Sequence, residues 1–152
     1  MQSILFDLDG VFYQGEHAIE GAANVVAWAR DRAIPHLFLT NTTSRPRSAL
    51  VDKLAGFGID TTIKHIFTPA VATVQWLQQY YPDQKVALFI PQTTKSEFQS
   101  ILQSDTLDAS VAAVVVGDLG EQWDFKTLET ALETGVTKLG SGLELHETGV
   151  RS

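Results

Sequence analysis

An aliphatic run, Ile4-Leu5-Phe6, leads straight into Asp7, and after Leu8 come Asp9 and Gly10. Carboxylates this close repel, and burying them is costly unless a cation lies between them, so the stretch asks for a cation. A hard divalent ion such as Mg2+ takes oxygen ligands and keeps several waters. Asp7 and Asp9 together with a substrate phosphate would complete its shell. Relieved of repulsion, Asp7 is suited to attack phosphorus as a carboxylate nucleophile. Asp9 is suited to protonate the leaving oxygen and then to deprotonate water. A second polar cluster, TNTTSRPR, begins at Thr40. Its Thr40 hydroxyl, with Asn41 and backbone amides such as that of Gly10, forms the candidate phosphate- and substrate-binding set.

Each cluster has a plainer reading when taken alone. Acids and glycine are common in turns, and TNTTSRPR suits a helix entry with Ser44 as N-cap and two solvated arginines. A calcium-binding EF-hand loop is excluded, because Phe12 and Ala18 stand where its glycine and terminal glutamate belong. What distinguishes the chemical reading is that both clusters follow apolar runs of strand type.

Those runs belong to a repeating pattern. Ser3 to Phe6 predicts a buried strand, and Ala22, Val25, Val26, Ala29 and Ala33 recur at helical spacing before Pro35. His36 to Leu39 predicts the second strand, and Ala49, Leu50 and Leu54 mark a helix stopped by Gly56 and Gly58. Ile66 and Phe67 predict a third strand, with Thr68 as cap and Pro69 as first residue of the next helix. Val86 to Ile90 follows as a strand, and Thr94 with Glu97 suits a capping box opening a helix that buries Phe98, Ile101 and Leu102. Val111 to Val116 is the most apolar run. Asp124 suits the cap of a helix ending at Gly135, and Val136 to Leu139 predicts a last short strand. Alternating strands and helices imply an α/β fold with parallel sheets whose strand C-termini share one edge, where such sheets bind ligands. Thr40 and Asn41 would then stand beside Asp7 and Asp9.

The bulk properties narrow the partners. The chain has 152 residues, 44% hydrophobic and 19% charged, which is ordinary globular composition. Eleven basic against 18 acidic residues give a net charge of −7, which disfavours nucleic acid or an anionic membrane as main partner. There is no cysteine, so neither a disulfide framework nor a thiolate site is available. No secretory pattern opens the chain and no apolar run reaches membrane-spanning length, so a cytoplasmic protein is expected. His17, His36, His65 and His146 show no metal-ligand spacing.

Taken together, DLDGVFYQG after a strand, LFLTNTTSRPR and FTPAVAT resemble the haloacid dehalogenase superfamily of phosphohydrolases. The resemblance is to the branch of nitrophenylphosphatase-like and phospholysine phosphohistidine inorganic pyrophosphate phosphatase enzymes. AVVVGDLGEQWDFKTLETAL resembles the cap domain of that branch. The resemblance implies part of a Rossmann-like core over residues 1–80, part of an α/β cap over 81–139 and a tail over 140–152. It implies a Mg2+-dependent phosphatase of small phosphorylated metabolites that works through an aspartyl-phosphate. Asp7 is the implied nucleophile, Asp9 the acid/base, Thr40 the phosphate-binding hydroxyl and Asn41 a substrate-loop residue. Mg2+ is held by the Asp7 carboxylate and the Asp9 backbone carbonyl, and Tyr13, Gln14 and Gly15 fall in the flap after the nucleophile.

The family pattern also contains a lysine and a late acidic pair after the cap, which this sequence does not reach. It therefore reads as C-terminally truncated, a poor catalyst alone, and prone to self-associate as a homo-oligomer. Two alternatives stand beside this reading. One is a non-catalytic remnant that binds phosphate or a partner; the other is a minimal capless enzyme using Lys95 and Asp118. A receiver-like phospho-switch is disfavoured, because its phosphorylated acid normally lies on a later strand.

Overall fold

The structure, a computed structural model, describes residues 3–104 and 110–139. The tail expected over 140–152, with His146, lies outside the described residues. Strand β1, Ile4–Asp7, is followed by a small antiparallel hairpin of β2, Tyr13–Gln14, and β3, His17–Ala18. Helix α1, Ala22–Asp31, leads to β4, His36–Leu39; helix α2, Arg47–Gly56, leads to β5, Ile66–Phe67. The strands β1, β4 and β5 pair in parallel in the order β1-β4-β5.

Aromatic packing sets this layer. Phe38, at the centre of β4, is fully buried. Its ring stacks on Phe6 at 5.9 Å and meets Phe12 edge-on at 5.4 Å. Leu8, Val26, Leu50, Leu54 and Ile66 close the same cluster, so the buried faces of α1 and α2 meet one sheet. Of the expected apolar positions, Ala22, Val26 and Ala29 of α1 and Leu50 and Leu54 of α2 are buried, whereas Val25 is exposed and Ala33 lies exposed beyond the end of α1.

Helix α3, Pro69–Tyr80, begins as its sequence predicts: the Thr68 hydroxyl accepts from Val71 N at 3.3 Å, and Pro69 takes the first position. Its buried Ala70 and Leu77 join a second cluster with Val86, Ile90 and Phe98. Strands β6, Lys85–Phe89, and β7, Val111–Val116, form a separate parallel sheet. Helix α4, Phe125–Leu139, packs on β7 and is capped by Asp124, whose carboxylate accepts from Thr127 N at 2.6 Å.

The local readings need correction at three places. The N-cap of α2 is Pro46 rather than Ser44; proline has no side-chain acceptor, and the cap comes from elsewhere in the chain. Thr94 and Glu97 do not open an α-helix: Thr94–Phe98 is a single 3-10 element, because both side chains are turned to tertiary partners. Gly135 does not end α4, and the strand expected at Val136–Leu139 is its continuation. One glycine costs a helix only about 1 kcal/mol, and Leu128, Leu132, Val136 and Leu139 keep helical spacing across it.

Replacing Phe38 by alanine removes the ring that the two other aromatics share. Phe38→Ala is expected to lower the unfolding free energy by about 3–5 kcal/mol. Urea denaturation checks this, and a loss below about 1 kcal/mol, within the range of ordinary surface substitutions, would show that the aromatic cluster does not organise the sheet.

Candidate active site

In the parallel register Asp7 stands opposite Leu39, and Leu39 opposite Phe67. The residues that follow each strand end therefore share one edge: Leu8 and Asp9, Thr40 and Asn41, and Thr68. Thr40 is nearly buried, at 9% exposure, and its backbone N–H donates to Phe67 O at 3.2 Å. Its hydroxyl donates to Thr42 Oγ1 and accepts from Thr42 N, both at 3.1 Å, which folds the loop back over the strand end. Asn41 is exposed at the rim.

Asp7 and Asp9 are both exposed. Water screens the repulsion between them, so burial alone does not demand a cation. The Asp7 carboxylate accepts from Leu8 N at 2.8 Å. Beyond Asp9 the chain reverses at Gly10, whose φ of 77° favours glycine, and no atom lies within 4 Å of where a Cβ would sit. Gly10 serves the turn, not a close approach. Its N–H donates to Tyr13 O at 2.8 Å, which ties the acid's loop to the β2–β3 hairpin.

That hairpin is a feature the residue pattern did not show as strands. Tyr13 is buried, and its phenol is held above the ordinary value of 10.0, first by burial and then by the negative charge of Asp9. The charge of Arg45, in the loop after Thr40, opposes that rise, so the second polar cluster faces the hairpin electrostatically. From α2, Lys53 donates to Gly15 O at 2.6 Å and to Glu16 Oε1 at 3.0 Å. Residue pattern carries no sign of this, since a lysine in a helix normally reads as solvated.

Glu97 is the second residue that pattern reading misplaced. Fifty residues after α2 begins, its carboxylate accepts from Arg47 N and from Arg47 Nε, both at 2.8 Å. It supplies the acceptor that Pro46 lacks. The Thr94 hydroxyl donates to Thr43 O at 3.4 Å, so the 3-10 element rests on the TNTTSRPR loop at two points. Lys95 lies on that same element, half-buried. Asp118 lies beyond the end of β7, in the other sheet, where its carboxylate accepts from Gly120 N at 2.9 Å and stabilises its own turn. His36 and His65 stack at 5.6 Å, but among the described residues no group of three or more His, Cys, Asp or Glu is gathered to hold a metal. Among them, too, no helix is long and apolar enough to cross a membrane.

Comparison with known proteins adds to this geometry. The family described as haloacid dehalogenase-like hydrolase matches residues 4–101. A 5'-nucleotidase of Bacillus subtilis is 42% identical over 54% of this chain and 32% of its own length. An acid sugar phosphatase of Staphylococcus epidermidis is 30% identical over 86% of this chain and 50% of its own. The phospholysine phosphohistidine inorganic pyrophosphate phosphatase of Danio rerio is 31% identical over 97% of this chain and 56% of its own. The chain thus spans about half the length, or less, of these curated relatives. Among solved structures, the p-nitrophenyl phosphatase of Archaeoglobus fulgidus superposes with a TM-score of 0.80 at 21% identity, over 90% of this chain and 52% of that one, a likeness of fold.

The Glu97 contact generates a direct test. Glu97→Ala takes the acceptor from Arg47 N–H and Nε–H, the lost carboxylate belonging to a side chain only 8% exposed. Hydrogen bonds to a charged group are worth about 1.5–3 kcal/mol, and a loss of that size is expected in chemical denaturation. A variant as stable as the wild type would show that α2 needs no cap from the 3-10 element.

Proposed function

The chain belongs to the haloacid dehalogenase-like hydrolases, and on that premise we propose that the protein is a phosphoric monoester hydrolase acting on small phosphorylated metabolites through an aspartyl-phosphate. What carries the proposal is the shared strand edge, with Asp7 and Asp9 on one strand end and Thr40 on its parallel neighbour. In the first step an Asp7 carboxylate oxygen forms a bond to phosphorus as the ester oxygen departs, and protonated Asp9 gives that oxygen its proton. In the second, Asp9 takes a proton from water, whose oxygen bonds to phosphorus and releases inorganic phosphate and the Asp7 carboxylate. Thr40, Asn41 and the Gly10 backbone orient the phosphoryl oxygens, an anion site that arises locally despite the net charge of −7.

Mg2+ fits these donors. Asp7 and Asp9 offer hard oxygens open to solvent, the Asp7 carboxylate and the Asp9 carbonyl being the ligands proposed, and Mg2+ is usually held by one or two carboxylates with waters and substrate phosphate. When bound, it supplies positive charge against the phosphoryl oxygens. The proposal further divides the chain into core residues 1–80 and cap residues 81–139 and sets the protein in the cytoplasm. Exposed Leu5, Phe125 and Leu132 support self-association. Lys95 and Asp118 are not part of the mechanism.

Hydrolysis of p-nitrophenyl phosphate, with Mg2+ and after chelation, tests this. A low activity is expected of this chain, and only with the metal; Asp7→Asn is expected to abolish it, and Asp9→Asn to slow it by about 10²- to 10⁴-fold. Near-normal Mg2+-dependent activity in Asp7→Asn would overturn the nucleophile assignment.

A further inference from the structure

A hairpin with two-residue strands is marginal by itself, and here it follows directly on the proposed acid/base. Its turn, Gly15-Glu16, has positive φ at the first central residue, 58°, and not at the second, as in a type II′ turn. Backbone bonds hold its base, Gly10 N to Tyr13 O at 2.8 Å and Ile19 N to Phe12 O at 2.9 Å. Its tip is held from α2. Lys53, with its side chain 12% exposed, donates to Gly15 O and Glu16 Oε1 and sets its ammonium 4.2 Å over the centroid of the Tyr13 ring. Phe57, four residues on, packs its ring 5.8 Å from Tyr13.

We propose that Lys53 is a positioning residue, which fixes the β2–β3 hairpin and, through the Tyr13 O to Gly10 N bond, the backbone that carries Asp9. The proposal rests on the phosphatase reading of the site for its catalytic consequence. One ammonium satisfies a turn carbonyl, a carboxylate and an aromatic face at once, so removing it frees the tip in three directions. The Glu16 carboxyl is held below its ordinary value of 4.5, chiefly by its hydrogen bond to Lys53. Misplacing a catalytic group by about 1 Å can cost about 10²-fold in rate. An acid that must first give and then take a proton is sensitive to such a shift in both steps.

Lys53→Met keeps the length of the stem and removes the charge. Hydrogen exchange of the Gly10 amide is expected to accelerate, and kcat to fall by about 10²-fold with KM nearly unchanged. Lys53→Arg, which keeps the charge, is expected to restore most of kcat. Unchanged Gly10 exchange, or faster exchange with unchanged kcat, would overturn the proposal. If Lys53→Met does not fold, Glu16→Gln decides by the same readouts: its side chain is 74% exposed, so the substitution leaves the core intact. Faster Gly10 exchange with reduced kcat sustains the proposal, and wild-type values of both overturn it. A wild-type chain without phosphatase activity would sink the phosphatase reading alone, because Gly10 exchange needs no substrate and still decides the anchoring.

Discussion

The parallel register of β1 against β4 is the constraint on which the candidate site depends. With Asp7 opposite Leu39 and Leu39 opposite Phe67, the polar residues after three strands are brought to one edge. Because successive side chains of a strand alternate faces, a slip of one residue would move Asp7 away from Thr40 and also turn Phe6 and Phe38 out of their stack. The aromatic core and the chemistry of the edge are fixed by the same choice of register.

Helix α2 extends this constraint to the loops. Its first turn receives Glu97 from the 3-10 element and so fixes the end of the TNTTSRPR loop; its last turn presents Lys53 and the following Phe57 to the hairpin after Asp9. The two polar clusters are thus held by opposite ends of one rigid element. The Glu97 carboxylate suits its place, since a helix N-terminus favours negative charge, and the geometry to Arg47 is paired.

Much of the strand framework and the edge residues could be read from local pattern, because β1, β4, β5 and β7 are apolar runs closed by polar or glycine residues, and Thr68-Pro69 is a strong helix start. What pattern could not show is where a side chain looks when its partner is far along the chain. Thr94 and Glu97 have the spacing of a capping box, yet both serve the loop fifty residues earlier. Lys53 has the look of a solvated helix residue, and its partners lie 37 and 38 residues before it. Val136 to Leu139 was misread because a short apolar run after glycine fits a strand or a helix equally, and length decides between them. The exposure of Asp7 and Asp9 was likewise not legible, since an apolar run before an acid says nothing about how far the strand end projects into water.

The central claim is that the end of β1 carries the reacting carboxylate. During turnover of p-nitrophenyl phosphate, borohydride added to the acid-quenched protein reduces an aspartyl-phosphate to homoserine, which peptide mass spectrometry locates. Homoserine at position 7 is the expected result. Homoserine at position 9, or steady turnover with neither aspartate converted, would contradict the account.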